Sequence, residues 1–160
     1  LLTMRLSMRV SWLSPPPPLD RDDPPLPVDT AQGSSDTGET SWYKAWSRQH
    51  PAIEVDDARD VISDDGSEVY SLFQAKGVRH MLLMGVHANM CILNRSFAIK
   101  QMVRWGVEVA LIRDLTDAMY NPAFSPYVSH DEGTQLVVGY IEKFWCPTTE
   151  SRGLLAACGR

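Results

Sequence analysis

The sequence has no apolar run of the roughly 18–20 residues that a membrane-spanning helix needs, so we expect no membrane partner. It also has no basic stripe. Its formal net charge is -5, and its basic residues are scattered among acidic ones. A nucleic-acid interface needs clustered Lys and Arg to replace counterions, so we expect no nucleic-acid partner either.

The sequence also lacks the cysteine spacing that would indicate a metal site and the glycine-rich loop that would indicate a nucleotide site. The three cysteines have no C-x-x-C spacing, which favours reduced thiols over a disulfide framework or a zinc site. No Gly-rich phosphate loop follows a predicted strand, which argues against a flavodoxin-like or dinucleotide-binding domain. We therefore expect no cofactor and no metal, and a reducing, cytoplasmic location.

The composition divides the chain into three parts. Residues 1–41 are rich in proline, glycine and serine, and we predict that they are extended or disordered. Residues 42–149 have the composition of a packed domain, and residues 150–160 form a C-terminal tail. A length of 160 residues corresponds to about one domain.

Strand and helix patterns alternate in the packed part. Near-continuous apolar runs at residues 80–85 and 107–112 are typical of strands buried on both faces of a parallel sheet. A shorter strand candidate covers residues 52–55. The predicted helices start at the cap cluster 63–66, span about 89–105, and start again at the capping-box pair Ser129 and Glu132.

This alternation implies βαβ units, and therefore an α/β fold with a mainly parallel sheet. Sites in such sheets form at the carboxyl ends of the strands, where residues 86–91 follow the first apolar run. In the first turn of a helix, unsatisfied amides and the helix dipole would favour the thiolate of Cys91 and could hold an oxyanion. The alternative is that Cys91 is a small buried apolar residue, as most free cysteines are.

The loop GVHANMC, which ends at Cys91, lies within a longer similarity over residues 76–117. This segment resembles the region around the nucleophile of the isochorismatase-like cysteine hydrolases, a superfamily that includes nicotinamidases and N-carbamoylsarcosine amidohydrolases. The wider resemblance covers about residues 42–149. The loop residues that match the family pattern position by position are Gly85, Val86, Ala88, Asn89 and Cys91.

The resemblance implies a three-layer α/β/α, Rossmann-like fold. It also implies hydrolysis of a small amide or related C–N bond through a thioester on Cys91. The backbone amides of Ala88 and Cys91 would form the oxyanion hole, and His87 and Asn89 would line the substrate pocket. For His87, a structural role near the strand end is an equal alternative. The implied partners are a small-molecule substrate and further copies of the chain in a homo-oligomer.

The family pattern includes further features that bear on the site. A non-proline cis peptide often follows the glycine, here at Val86-His87 or His87-Ala88. The general base is an aspartate at the end of an N-terminal strand, and no such strand is visible in this sequence. Asp56 and Asp57 stand where the assisting lysine is expected.

The apparent lack of the N-terminal strand suggests a truncated or mis-started chain, or a partner that supplies the missing part. An inactive domain that serves as an interaction or assembly module is the alternative function.

Other polar and aromatic residues are assigned structural roles first. We favour structure over function for His130, and capping over pocket shaping for Asp117. The aromatic residues Trp42, Tyr43 and Trp46 are interpreted as core packing. Cys146 and Cys158 are expected to be inert.

Overall fold

The computed structural model describes residues 23–31, 50–157 and 159. Most of the predicted extended part, 1–41, lies outside the described residues, and so does the aromatic cluster of Trp42, Tyr43 and Trp46. Within the described residues, no helix is long and apolar enough to cross a bilayer.

Helices and strands alternate along the described chain, and the strands form one parallel sheet of order β1-β2-β3. The prediction of an α/β fold with a parallel sheet is confirmed at this level. The elements are α1 (Gly66–Lys76), β1 (His80–Val86), α2 (Cys91–Asn94), α3 (Ile99–Arg104), β2 (Glu108–Asp117), α4 (His130–Phe144), β3 (Thr148–Thr149) and α5 (Ser151–Ala157).

The two longer helices begin and end where their local sequence predicts. The carboxylate of Asp65 caps α1 by accepting from the first amides of the helix, and Gly77 ends it in the left-handed conformation at φ 67°. In α4 the Ser129 side chain accepts from the Glu132 amide, and Glu132 in turn accepts from the Ser129 amide, which completes the predicted capping box.

The predicted helix over residues 89–105 is interrupted. It divides into α2 and α3, and Arg95 between them has extended backbone angles (φ -63°, ψ 156°). A tertiary contact accompanies the break: the Ser96 hydroxyl accepts a hydrogen bond from the Gly66 amide at 3.1 Å, at the start of α1. This contact holds the connection between α2 and α3 against a distant part of the chain.

The predicted strand at residues 52–55 and the C-terminal tail have the following structure. Residues 52–55 form no strand, and Ile53 and Val55 are exposed there. The C-terminal tail contains the helix α5, which is held to β2 because the Ser151 amide donates to Asp114 Oδ1 at 2.8 Å.

The core lies between one face of the sheet and the helices. It is made by buried residues of β2, α2, α3 and α4, of which the most fully enclosed are Leu93, Ile99, Met102, Leu111, Val137 and Ile141. Residues 23–31 form no helix or strand but pack onto this core through Val28, which is 6% exposed. Tyr140 Oη anchors the same segment, at 2.8 Å from Asp23 Oδ1.

The prediction that residues 80–85 are buried on both faces is wrong. Burial alternates along β1, and Leu82, Met84 and Val86 on one face are 51%, 57% and 59% exposed. Within the described residues, β1 has one neighbouring strand, β2, and no element covers that face. One face of this apolar run is therefore in contact with solvent in the part of the chain that the structure describes.

Candidate functional site

The GVHANMC motif lies at the carboxyl end of β1, and sites in parallel sheets form at this edge. The loop after β1 turns around one carbonyl: the His87 oxygen accepts from the amides of Met90, at 3.0 Å, and Ile92, at 3.1 Å. The Val86-His87 peptide bond is cis, at one of the two positions that the family resemblance predicts. Cys91 follows as the first residue of α2 and is partly exposed.

The end of β2 lies beside this loop. Its strand runs to Asp117, beyond the predicted end at residue 112, and Val86 is in register with Asp117. The Ala88 amide donates to the Asp117 carbonyl at 2.7 Å. The two carboxyl ends therefore form one continuous edge, as the parallel arrangement requires.

Asn89 connects the two loops at this edge. Its side chain exchanges a pair of hydrogen bonds with the backbone of Met119, both at 2.9 Å, and it is 1% exposed. A buried amide with these partners has no face left for a substrate. The structure thus gives Asn89 a positioning role in place of the predicted substrate contact.

The predicted oxyanion hole is reduced to one of its two residues. Ala88 is fully buried, and its amide is already donated to Asp117. The Cys91 amide, in contrast, has no acceptor within the described part of the chain. The predicted helix-dipole effect is weakened as well, because α2 has 4 residues and a single turn sums few peptide dipoles.

A cavity of about 250 Å³ opens beside the thiol and is lined by Met90, Cys91, Asn94 and Arg95. Among the described residues that line it, Arg95 carries the charge and would attract an anionic group. His87 is partly buried and does not line this cavity, so its predicted pocket role is not supported by the geometry.

Asp117 and His130 form a polar cluster at the same edge. Nε2 of His130 lies 2.9 Å from Asp117 Oδ1, and Nδ1 lies 3.0 Å from the Tyr120 carbonyl oxygen. Because both oxygens are acceptors, this arrangement favours the form of His130 in which both ring nitrogens carry protons. The hydrogen bond to Asp117 raises the pKa of His130. Burial acts to raise the pKa of Asp117, but hydrogen bonds from His130 and Thr134 outweigh it and lower the pKa.

Sequence reasoning considered both residues of this pair separately and missed their contact. The available signal was positional: Asp117 ends one strand, and His130 begins the next long helix, so both belong to the carboxyl edge of the sheet. The Thr134 hydroxyl, which donates to Asp117 at 3.0 Å, completes the cluster.

The acids at the expected lysine position lie in an irregular segment without a helix or strand. Asp56 pairs with Arg59 at 2.6 Å, on the exposed surface. Within the described residues, no group of three or more His, Cys, Asp or Glu side chains is arranged to hold a metal ion.

The other described cysteine is a poor nucleophile. Cys146 is 5% exposed, and burial raises the pKa of its thiol to about 12. Cys158 lies outside the described residues. Cys91 is therefore the accessible thiol of the two that the structure describes.

Comparisons of the chain with protein-family models, with curated proteins and with solved structures gave no match. The described residues thus define an α/β domain with a half-exposed cysteine at the carboxyl edge of a parallel sheet.

Proposed function

We propose that this chain is a cysteine hydrolase of the isochorismatase-like superfamily, with the three-layer, Rossmann-like arrangement of that family. Its substrate would be a small molecule with an amide or related C–N bond. The observation that carries the proposal is the position of Cys91. The thiol ends the GVHANMC loop at the carboxyl edge of a parallel sheet and lines a cavity.

The proposed reaction has two stages. The Cys91 thiolate attacks the carbonyl carbon, a C–S bond forms, and the carbonyl oxygen becomes an oxyanion that the Cys91 amide can stabilise. Collapse of this intermediate breaks the C–N bond, and the leaving amine takes up from solvent the proton that the thiol released when the thiolate formed. Water then attacks the thioester, the C–S bond breaks, and the carboxylic acid leaves while the thiol is regenerated.

The residues that line the cavity favour particular chemical groups in the substrate. Arg95 lines the same cavity as Cys91, and its positive charge favours a substrate with a carboxylate or another anionic group. Met90 contributes an apolar wall. Asn89 and Ala88 act indirectly in this scheme, because their hydrogen bonds to Met119 and Asp117 hold the loop that presents Cys91.

One observation favours a second function, that of an interaction or assembly module. Leu82, Met84 and Val86 form an exposed apolar face on β1, and such faces on soluble proteins often mark contact surfaces. A homo-oligomer in the cytoplasm is compatible with both functions, and we propose it for both.

The test is an amide-hydrolysis panel with the full chain and two matched variants, Cys91→Ser and Cys146→Ser. The proposal predicts hydrolysis that Cys91→Ser abolishes and Cys146→Ser preserves, together with an acyl adduct on the Cys91 peptide in quenched reactions. Hydrolysis that survives Cys91→Ser contradicts the proposal. Absence of both hydrolysis and adduct in the wild-type chain supports the interaction module instead.

A further inference from the structure

Residues 23–31 lie on the domain in the manner of a bound peptide. They form no helix or strand. Val28 enters the core, where it is 6% exposed, and Leu26 packs against the same core. In the described part of the chain, one backbone-to-backbone hydrogen bond joins this segment to the domain, from the Asp29 amide to the Ser125 carbonyl at 2.9 Å. The rest of the attachment involves side chains, as in the recognition of linear peptides.

A basic and aromatic site receives the acidic end of this segment. The carboxylate of Asp23 accepts from Lys100 Nζ at 2.7 Å and from Tyr140 Oη at 2.8 Å. Lys100 Nζ and the guanidinium of Arg104 lie over the ring of Trp145, at 5.3 Å and 5.2 Å from its centroid. Lys100, Arg104, Tyr140 and Trp145 together form the docking site.

The docking site selects a negative charge. The side chain of Lys100 is 14% exposed, and its ammonium group is held on the same ring as a second cation, Arg104. A carboxylate between them offsets their mutual repulsion. Burial acts to raise the pKa of Asp23, but hydrogen bonds from Lys100 and Tyr140 outweigh it and lower the pKa. The group that the docking site holds is therefore an ionised carboxylate at neutral pH.

Prolines follow the carboxylate and suit this mode of binding. Residues 24–27 read PPLP, and proline restricts φ and has no amide donor. A segment that is restricted before it binds loses less conformational entropy when it docks. The Pro24 carbonyl oxygen lies 2.9 Å from Tyr140 Oη, so the docking site also reads the backbone at this point. The occupant thus has a linear pattern, which is a carboxylate, then prolines, then the buried side chain of Val28.

We propose that the docking site is an interaction site for a partner protein, which it recognises through an extended segment of this chemistry. The segment has a carboxylate, then prolines, and a small apolar side chain five residues after the carboxylate, as in Asp23 and Val28. Residues 23–31 fill the site as an internal competitor. A second copy of the chain is a poorer partner, because it arrives with its own segment docked and an exchange of identical segments gains no contact. This function is independent of Cys91.

Fluorescence anisotropy with the full-length chain tests the inference. The probe is a synthetic peptide of residues 23–31, acetylated at its N-terminal end and labelled with fluorescein at its C-terminal end. Asp23→Lys in the chain places a cation beside Lys100 and Arg104 and should release the internal segment. An internal ligand competes at an effective concentration that can reach the millimolar range, so this variant should bind the probe at least about tenfold more tightly than the wild type does.

Asp29→Lys is the matched control in the chain. It makes the same charge change at an exposed carboxylate that accepts from the Ala31 amide of the same segment, and it should bind the probe as the wild type does. The two changes are then made in the probe. With the Asp23→Lys chain as receptor, a probe with Asp23→Lys should lose at least about tenfold in affinity, and a probe with Asp29→Lys should lose little.

Circular dichroism establishes that each chain is folded. Asp23→Asn, which removes the charge and keeps the size of the side chain, replaces Asp23→Lys if that variant unfolds. Absence of saturable binding by a folded variant overturns the proposal, and so does equal affinity of variant and wild type or an equal loss for both altered probes. Dimerisation of the wild type that excess unlabelled peptide reverses, measured by analytical ultracentrifugation, overturns it in favour of a second copy.

Discussion

The side chain of Asn89 and the backbone of Met119 form a reciprocal pair of hydrogen bonds. Asn89 Nδ2 donates to the Met119 carbonyl, and the Met119 amide donates to Asn89 Oδ1, each at 2.9 Å. The pair joins the loop after β1 to the loop after β2. Since the first of these loops carries Cys91, the geometry of the candidate site depends on a residue that does not face it.

Replacing Asn89 with Ala should destabilise the domain by about 1–3 kcal/mol, because two part-buried backbone groups of Met119 lose their partners and the buried Asn89 side chain is removed. Asn94→Ala is the matched control. Its side chain makes one hydrogen bond, to the Asn89 carbonyl at 3.2 Å, from an exposed residue, and its loss should cost under about 1 kcal/mol. Urea denaturation followed by circular dichroism measures both values. An equal loss in the free energy of unfolding for the two variants would contradict a stabilising role for the Asn89 hydrogen bonds to Met119.

Two glycines in α4 should respond in opposite directions to the same substitution. A methyl group at Gly133 would overlap the ring of Tyr120, which is fully buried and has no room to move. Gly133→Ala should therefore destabilise by about 1–3 kcal/mol. At Gly139 a methyl group meets no atom, and Gly139→Ala should stabilise by up to about 1 kcal/mol through helix propensity. Thermal denaturation of both variants checks the signs, and a stable Gly133→Ala would contradict the packing of Tyr120 against α4.

The contact between His130 and Asp117 should make stability depend on pH. The folded chain raises the pKa of His130, so this contribution is fully present below about pH 6.5, the unfolded value, and is lost as pH rises through the folded value. The lowered pKa of Asp117 works in the opposite sense. Its contribution is present above about pH 3.9 and is lost as pH falls through the folded value. The pair should therefore stabilise most between about pH 4 and 6.5.

The measurement is the difference in the free energy of unfolding between the wild type and His130→Gln, across this range and up to pH 8.5. Both side chains are partly exposed, so the pH-dependent part should stay below about 1 kcal/mol. Asp117→Asn should remove the same pH dependence, and the double variant should lose nothing further. A difference that is constant with pH would show that the ion pair does not form in solution.

The parts of this fold that follow from local chemistry were predictable from the sequence. The caps of α1 and α4 depend on residues a few positions apart, such as Ser129 and Glu132, and they form as predicted. The two apolar runs form β1 and β2, because short apolar runs bounded by turn residues are typical of buried strands.

The parts that depend on distant contacts were not predictable. The break before α3 lies beside the contact of Ser96 with Gly66, 30 residues earlier in the chain. The hydrogen bonds of Asn89 to Met119 were not predictable for the same reason, since its partner follows a different strand. The motif lies in the loop after β1, with Cys91 at the start of a helix, as the strand and helix patterns indicate. It could not indicate that the Ala88 amide is already occupied by Asp117, because that contact exists only once the strands pair.

Alkylation should separate the two described thiols by a wide margin. At pH 8 a thiol of pKa about 12, as Cys146 has, is about 10⁻⁴ ionised. Its 5% exposure further restricts the approach of a reagent, whereas Cys91 is partly exposed beside an open cavity. In the native Cys158→Ser variant, iodoacetamide should therefore modify Cys91 at least about 100-fold faster than Cys146.

Peptide mass spectrometry after timed quenching measures the two rates in one sample. Labelling in denaturing urea is the control, because both thiols should then react at similar rates. The Cys146 rate in native conditions also reports opening of the domain, since modification must wait until the end of α4 exposes the thiol. If Cys146 reacts as fast as Cys91 in the native chain, the burial of this end of the domain is wrong. The distinction between one accessible and one inert thiol, on which the hydrolase proposal relies, then fails with it.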